Sequence, residues 1–119
     1  SLSLIGDFGA DTAFLDQGVV LRVLETLLRN ASEHAASRVT LRYSIQGKVM
    51  RFVCADDGPG FPTELLEGGP RPFTKGAGSD GQGMGLYLCK LLCVAHGGEL
   101  HLTNLHQGGC AATATFLLK

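Results

Sequence analysis

The sequence predicts an α/β fold, on three observations. Val20, Leu24, Leu27, Leu28, Ala31 and Ala35 recur at helical spacing, which puts them on one apolar face of a helix over residues 17–36. Residues 39–46 alternate apolar and polar through Val39, Leu41, Tyr43 and Ile45. Met50, Phe52 and Cys54 then share one face of a second run ending at Asp56, as in half-buried strands. A third stretch, 85–96, reads as a second long helix stopped by Gly97-Gly98. Strands near 99–104 and 111–118 follow it, joined by a hairpin through Gln107-Gly108-Gly109.

The remaining elements fall between these. Residues 2–8 form a short first strand, and Asp16 is placed to cap the first helix. A second stripe on that helix, Val19, Val23, Thr26, Asn30 and His34, turns polar at its far end, so it is expected to face something other than core. Gly47-Lys48 is a tight turn between the two central strands. Residues 61–80 are rich in glycine and proline and lack periodicity, which predicts a long mobile loop with one helical turn at 63–66.

Composition narrows the class. At 119 residues the chain is one domain, 1–119, large enough for a core, and 45% of it is apolar against 18% charged. A net charge of -1 supplies no basic footprint for nucleic acid and no polybasic membrane patch. The apolar runs are too short to span a bilayer. The chain starts with Ser1 and is expected to be a piece of a longer protein. Cys54, Cys89, Cys93 and Cys110 are too sparse for a disulfide scaffold and are expected as buried, reduced thiols. Cys89, Cys93 and His96 share a helix face among apolar neighbours, a pattern read as packing rather than as a metal site.

Four short motifs carry chemistry. Asn30-Ala31 puts a neutral oxygen ligand, suited to Mg2+, on the polar end of a helix stripe. Asp56-Asp57-Gly58-Pro59-Gly60 ends a strand in a carboxylate able to accept adenine's exocyclic amine, where guanine would offer a carbonyl. Gly58 and Gly60 let the backbone approach the base. Asp57 points away from Asp56 in extended chain and forms no acid–base pair with it. Phe73 and Lys75 fall in the loop, Phe73 as an apolar anchor for a lid and Lys75 as a phosphate contact. Gly81, Gly83 and Gly85 lead into a helix, so their N–H groups make an anion site for nucleotide phosphates. Gly76 to Gly81 matches G-x-G-x-x-G, but no strand precedes it and no helix follows at once, so a dinucleotide fold fails. There is no Walker-type P-loop either.

In this order the motifs resemble the N, G1, F and G2 boxes of the GHKL superfamily, and most closely the catalytic and ATP-binding domain of bacterial sensor histidine kinases. Residues 86–98, with Lys90 and His96-Gly97-Gly98, and the closing strand 108–118 are similar as well. The resemblance implies a two-layer α+β sandwich, the Bergerat fold, with a mixed sheet against three helices and a mobile ATP lid. It implies ATP and Mg2+ as cofactors, with Asn30 on the metal. It places Asp56, Gly58, Gly60, Phe73, Lys75, Gly81, Gly83, Gly85, Leu86, Thr26 and His34 around the nucleotide. It further implies transfer of the γ-phosphate to a histidine on a separate dimerisation and phosphoacceptor domain, absent here, with a response regulator downstream. The expected setting is cytoplasmic, in a soluble protein or the cytoplasmic part of a membrane-bound sensor, with the isolated domain a monomer. Thr26 stands where the family usually has a second Asn, and Glu33 where it often has a basic residue. These departures favour, as the alternative, a degenerate nucleotide-binding regulatory module with weak or no kinase activity. Glu25 lies five residues before Asn30, about 100° off its face, so water activation of the gyrase type is poorly supported.

Overall fold

The computed structural model describes residues 2–6, 17–70 and 82–118. In chain order these form β1 (Leu2–Gly6), α1 (Gln17–His34), β2 (Val39–Gln46), β3 (Val49–Asp56), α2 (Thr63–Gly68), α3 (Gln82–Ala95), β4 (Leu100–Asn104) and β5 (Cys110–Leu117). The cap expected at Asp16 and the second half of the loop expected at 61–80, residues 71–80, lie outside the described residues.

The strands make one five-stranded mixed sheet in the order β1-β2-β3-β5-β4. β1 runs parallel to β2, with α1 as the crossover, and every other pair is antiparallel. Gly47, at φ 60°, opens the two-residue turn that pairs Gln46 with Val49, and this register carries through to Val39 opposite Asp56. The period-2 pattern then puts Phe52, Cys54 and Asp56 on the face covered by helices. Tyr43, Phe52 and Phe116 continue the core as a chain of tilted and edge-on rings with centroids 5.8 and 6.0 Å apart.

α1 differs from its expected orientation. Its most buried line is Val20, Val23, Leu27 and Ala31, with Val23 at 0% exposure. Leu24, Leu28 and Ala35 are only partly buried beside it. The core face therefore runs between the two stripes read from the sequence. Thr26, Asn30 and His34 lie half-buried along one border. Two layers must meet along a helix that also packs against α3 and the sheet, and this rotates α1 toward Val23.

α3 begins at Gln82 rather than Gly85, so Gly83 and Gly85 belong to its first turn. Glycine inside a helix costs about 1 kcal/mol relative to alanine, but at Gly85 the missing side chain admits α1. A Cβ there would come 3.2 Å from the Thr26 methyl. The helix ends as expected, with the Gly98 N–H bonded to the Cys93 carbonyl at 2.9 Å. All four cysteines are buried free thiols. Cys54 and Cys89 direct theirs at the α1 carbonyls of Leu27 and Val23. Among the described residues, no helix is long and apolar enough to cross a membrane.

Candidate functional site

Asp56, at the end of β3, is 7% exposed, the one buried charged residue among the described residues. Burying a carboxylate is costly unless donors meet it. Here Oδ1 accepts the Gly58 N–H at 2.8 Å, and the Cys110 thiol lies 3.3 Å from Oδ2, across the β3–β5 register. Two donors leave part of a carboxylate's accepting capacity unused, so the group is suited to a ligand that brings an N–H. Burial, and then the charge of Asp56, push the thiols of Cys110 and Cys54 up to about 12. Both remain S–H at neutral pH.

Asp57 turns the other way, as its place in extended chain predicts. Its Oδ1 accepts the N–H groups of Ala36, Ser37 and Arg38 at 2.9–3.0 Å, and Oδ2 accepts the Ser37 hydroxyl at 2.6 Å. The Ser37 hydroxyl, followed by the backbone donors of Ser37 and Arg38, holds its carboxyl well below the usual carboxylate range. This exposed clasp ties the loop after α1 to the loop after β3. Nothing in the local pattern signals it, because the partners lie about twenty residues upstream.

The clasp brings Asn30, His34, Gly58 and Asp56 into one continuous set of contacts. The His34 ring bonds the Asn30 carbonyl through Nδ1 at 2.8 Å. The His34 carbonyl packs so closely on Gly58 that a Cβ there would overlap it. The Gly58 N–H then reaches Asp56. The side-chain amide of Asn30 is half-buried and makes no hydrogen bond among the described residues. His34 presents only its remaining ring nitrogen, since Nδ1 is committed to the helix.

Gly60, at φ 90°, is held by Asn104, which sequence reasoning missed. Asn104 Oδ1 accepts the Phe61 N–H at 2.8 Å and its Nδ2 donates to the Phe61 carbonyl at 3.1 Å. Phe61 itself lies in the core, so the chain leaving Asp56 is anchored at both ends. A strand-ending Asn is the only local signal, and its partner is 43 residues away.

Two expected residues sit differently. Thr26 spends its hydroxyl on the Arg22 carbonyl, 2.9 Å away within α1, and brings a methyl to Gly85. It opens onto a hollow of about 710 Å³ along the α1–α3 seam, together with Arg22, Glu25, Arg29 and Leu88. Leu86 is 1% exposed in the core, so its side chain anchors α3 instead of reaching a ligand. The N–H groups of the first turn of α3, around Gly83, have no carbonyl within the helix to bond. Phe73, Lys75 and Gly81 lie outside the described residues.

The residues fit Mg2+ as a shared ligand rather than as a caged one. Among the described residues there is no cluster of three His, Cys, Asp or Glu able to hold a metal. Asn30 supplies one neutral oxygen, which suits an ion that keeps water and borrows oxygens from phosphate.

This architecture is that of histidine kinase catalytic domains. The catalytic domain of ThkA superposes with a TM-score of 0.82 over 98% of this chain and 77% of its own, at 22% identity, a likeness of fold. Full-length ShkA, solved in complex with AMPPNP, superposes at 0.83 over 98% of this chain and 25% of its own, at 25% identity. Residues 15–119 match the profile of the histidine kinase-, DNA gyrase B- and HSP90-like ATPases. The chain belongs to that family. Similar curated proteins include sensor protein CseC of Streptomyces avermitilis, 37% identical over 74% of this chain. The adaptive-response sensory kinase SasA of Gloeothece citriformis is 32% identical over 82%. The chain spans only 18% and 26% of the length of these two relatives.

Proposed function

We propose that this chain binds Mg-ATP and donates the γ-phosphate to a histidine on a separate dimerisation and phosphoacceptor domain of the same sensor. A response regulator then acts downstream, in the cytoplasm, and the isolated catalytic domain is a monomer. The observation that carries the proposal is Asp56: a buried carboxylate with one weak and one backbone donor, linked through Gly58 and His34 to a half-buried Asn30 whose amide makes no hydrogen bond among the described residues.

Asp56 accepts the adenine amine, with Gly58 and Gly60 giving the base access. Asn30 would hold Mg2+ through its side-chain oxygen, and the ion when bound supplies charge neutralisation on the phosphates. Gly81, Gly83 and Gly85 offer backbone N–H groups to the phosphates, while Phe73 and Lys75 close over them. Thr26 and His34 shape the wall, and Leu86 anchors α3 behind it from the core. The chain itself positions the nucleotide and stabilises charge, which is most of what phosphoryl transfer asks of a protein.

Two observations favour a second reading, a degenerate regulatory module. The Thr26 hydroxyl is committed to Arg22, and Glu33 is exposed one turn from the phosphate end of α1. Calorimetric titration with ATP, with and without Mg2+, separates the two. Metal-dependent binding, lost in its metal dependence on Asn30→Ala, followed by transfer to a supplied histidine domain, supports the kinase. Binding indifferent to Mg2+ with no transfer supports the regulatory module.

A further inference from the structure

We propose that Cys110 is a positioning residue for base selection: its thiol, 3.3 Å from Oδ2 of Asp56, fixes which edge of the carboxylate meets the purine. The inference rests on the reading that Asp56 takes the adenine amine, and it names the residue that orients that group. Cys110 is 4% exposed and opens β5 directly opposite Asp56 in the β3–β5 register. Gly109, at φ 87°, makes this approach possible. A Cβ there would overlap the Asp56 carbonyl, so only glycine lets β5 start so close to the end of β3.

A carboxylate turns easily about its last bond, because that torsion is broad. One donor on Oδ1 would leave Asp56 free to rock. A second donor on the other oxygen sets the plane of the group. The thiol stays protonated at neutral pH, because burial and the neighbouring charge hold it up to about 12, and therefore it donates. A thiol is also a weak donor. It orients Oδ2 while leaving most of that oxygen's accepting power to a ligand amine.

The test is the ratio of ATP to GTP affinity, measured by calorimetry on this chain and two variants. Cys110→Ala removes the donor and Cys110→Ser replaces it. The expected result is that Cys110→Ala lowers the ATP:GTP preference roughly fivefold to tenfold, the scale of one hydrogen bond, while Cys110→Ser restores most of it. A merely structural thiol would change melting temperature without moving this ratio. If both variants keep the wild-type preference, the positioning role is overturned while the Asp56 reading stands. If the wild type itself shows no preference for ATP, the Asp56 reading fails and takes this inference with it. Should Cys110→Ala fail to fold, Cys110→Thr against Cys110→Val repeats the comparison with and without a donor at matched shape.

Discussion

Asp56 has given up nearly all of its water for one amide and one thiol, so a ligand amine replaces solvent the group has already lost. Changing Asp56 to Asn is expected to weaken ATP binding by about 1–3 kcal/mol, the value of a hydrogen bond to a charged group. Calorimetry reads this directly, and an unchanged Kd removes Asp56 from the base site. Its neighbour Asp57 predicts a pH effect of definite sign. Its folded pKa lies below the ordinary value of about 3.9. The clasp therefore contributes its full stability above that value and loses it as pH falls through the lowered one. Asp57→Asn is expected to melt below wild type at about pH 6, with the gap shrinking toward pH 3. A gap that stays constant across that range refutes the charged clasp.

At the scale of elements, α1 is the shared wall. Its buried line packs the sheet, and its half-buried border carries Thr26, Asn30 and His34. The contact between the His34 carbonyl and Gly58 joins this helix to the end of β3, backbone against backbone. No rotamer can relieve a side chain placed there. Gly58→Ala is expected to cost about 1–3 kcal/mol of stability by urea unfolding, and to weaken ATP binding by displacing the donor on Asp56. Wild-type stability and affinity together would show that the helix and strand end are not coupled here. By contrast, Gly47 faces open space, so its requirement comes from the turn alone.

For the whole molecule, the proposed nucleotide site lies on the helical side of the sheet, the side on which Asp56 is buried. A ligand that binds only the folded chain raises its stability by mass action, by about 2.7 kcal/mol at a hundredfold excess over Kd. Mg-ATP is therefore expected to raise the melting temperature measured by scanning calorimetry, and GTP at the same concentration to raise it less. Equal shifts for both nucleotides would contradict a base site built on Asp56.

Much of this was legible in the chain itself. Local periodicity specified α1, the β2–β3 hairpin with its boundaries, the helical turn near residue 63 and the closing hairpin, because spacing along one element decides which side chains share a face. The order of the glycine motifs, with Asn30 and Asp56, likewise indicated the ATPase family that the profile match shows. What only the tertiary structure decided are the contacts between distant segments. The rotation of α1 toward Val23, the Asp57 clasp, the Asn104 anchor and the Cys110 thiol beneath Asp56 all depend on partners about twenty or more residues away. Such pairings are set by how layers pack and strands register, and no window of sequence contains both halves of them.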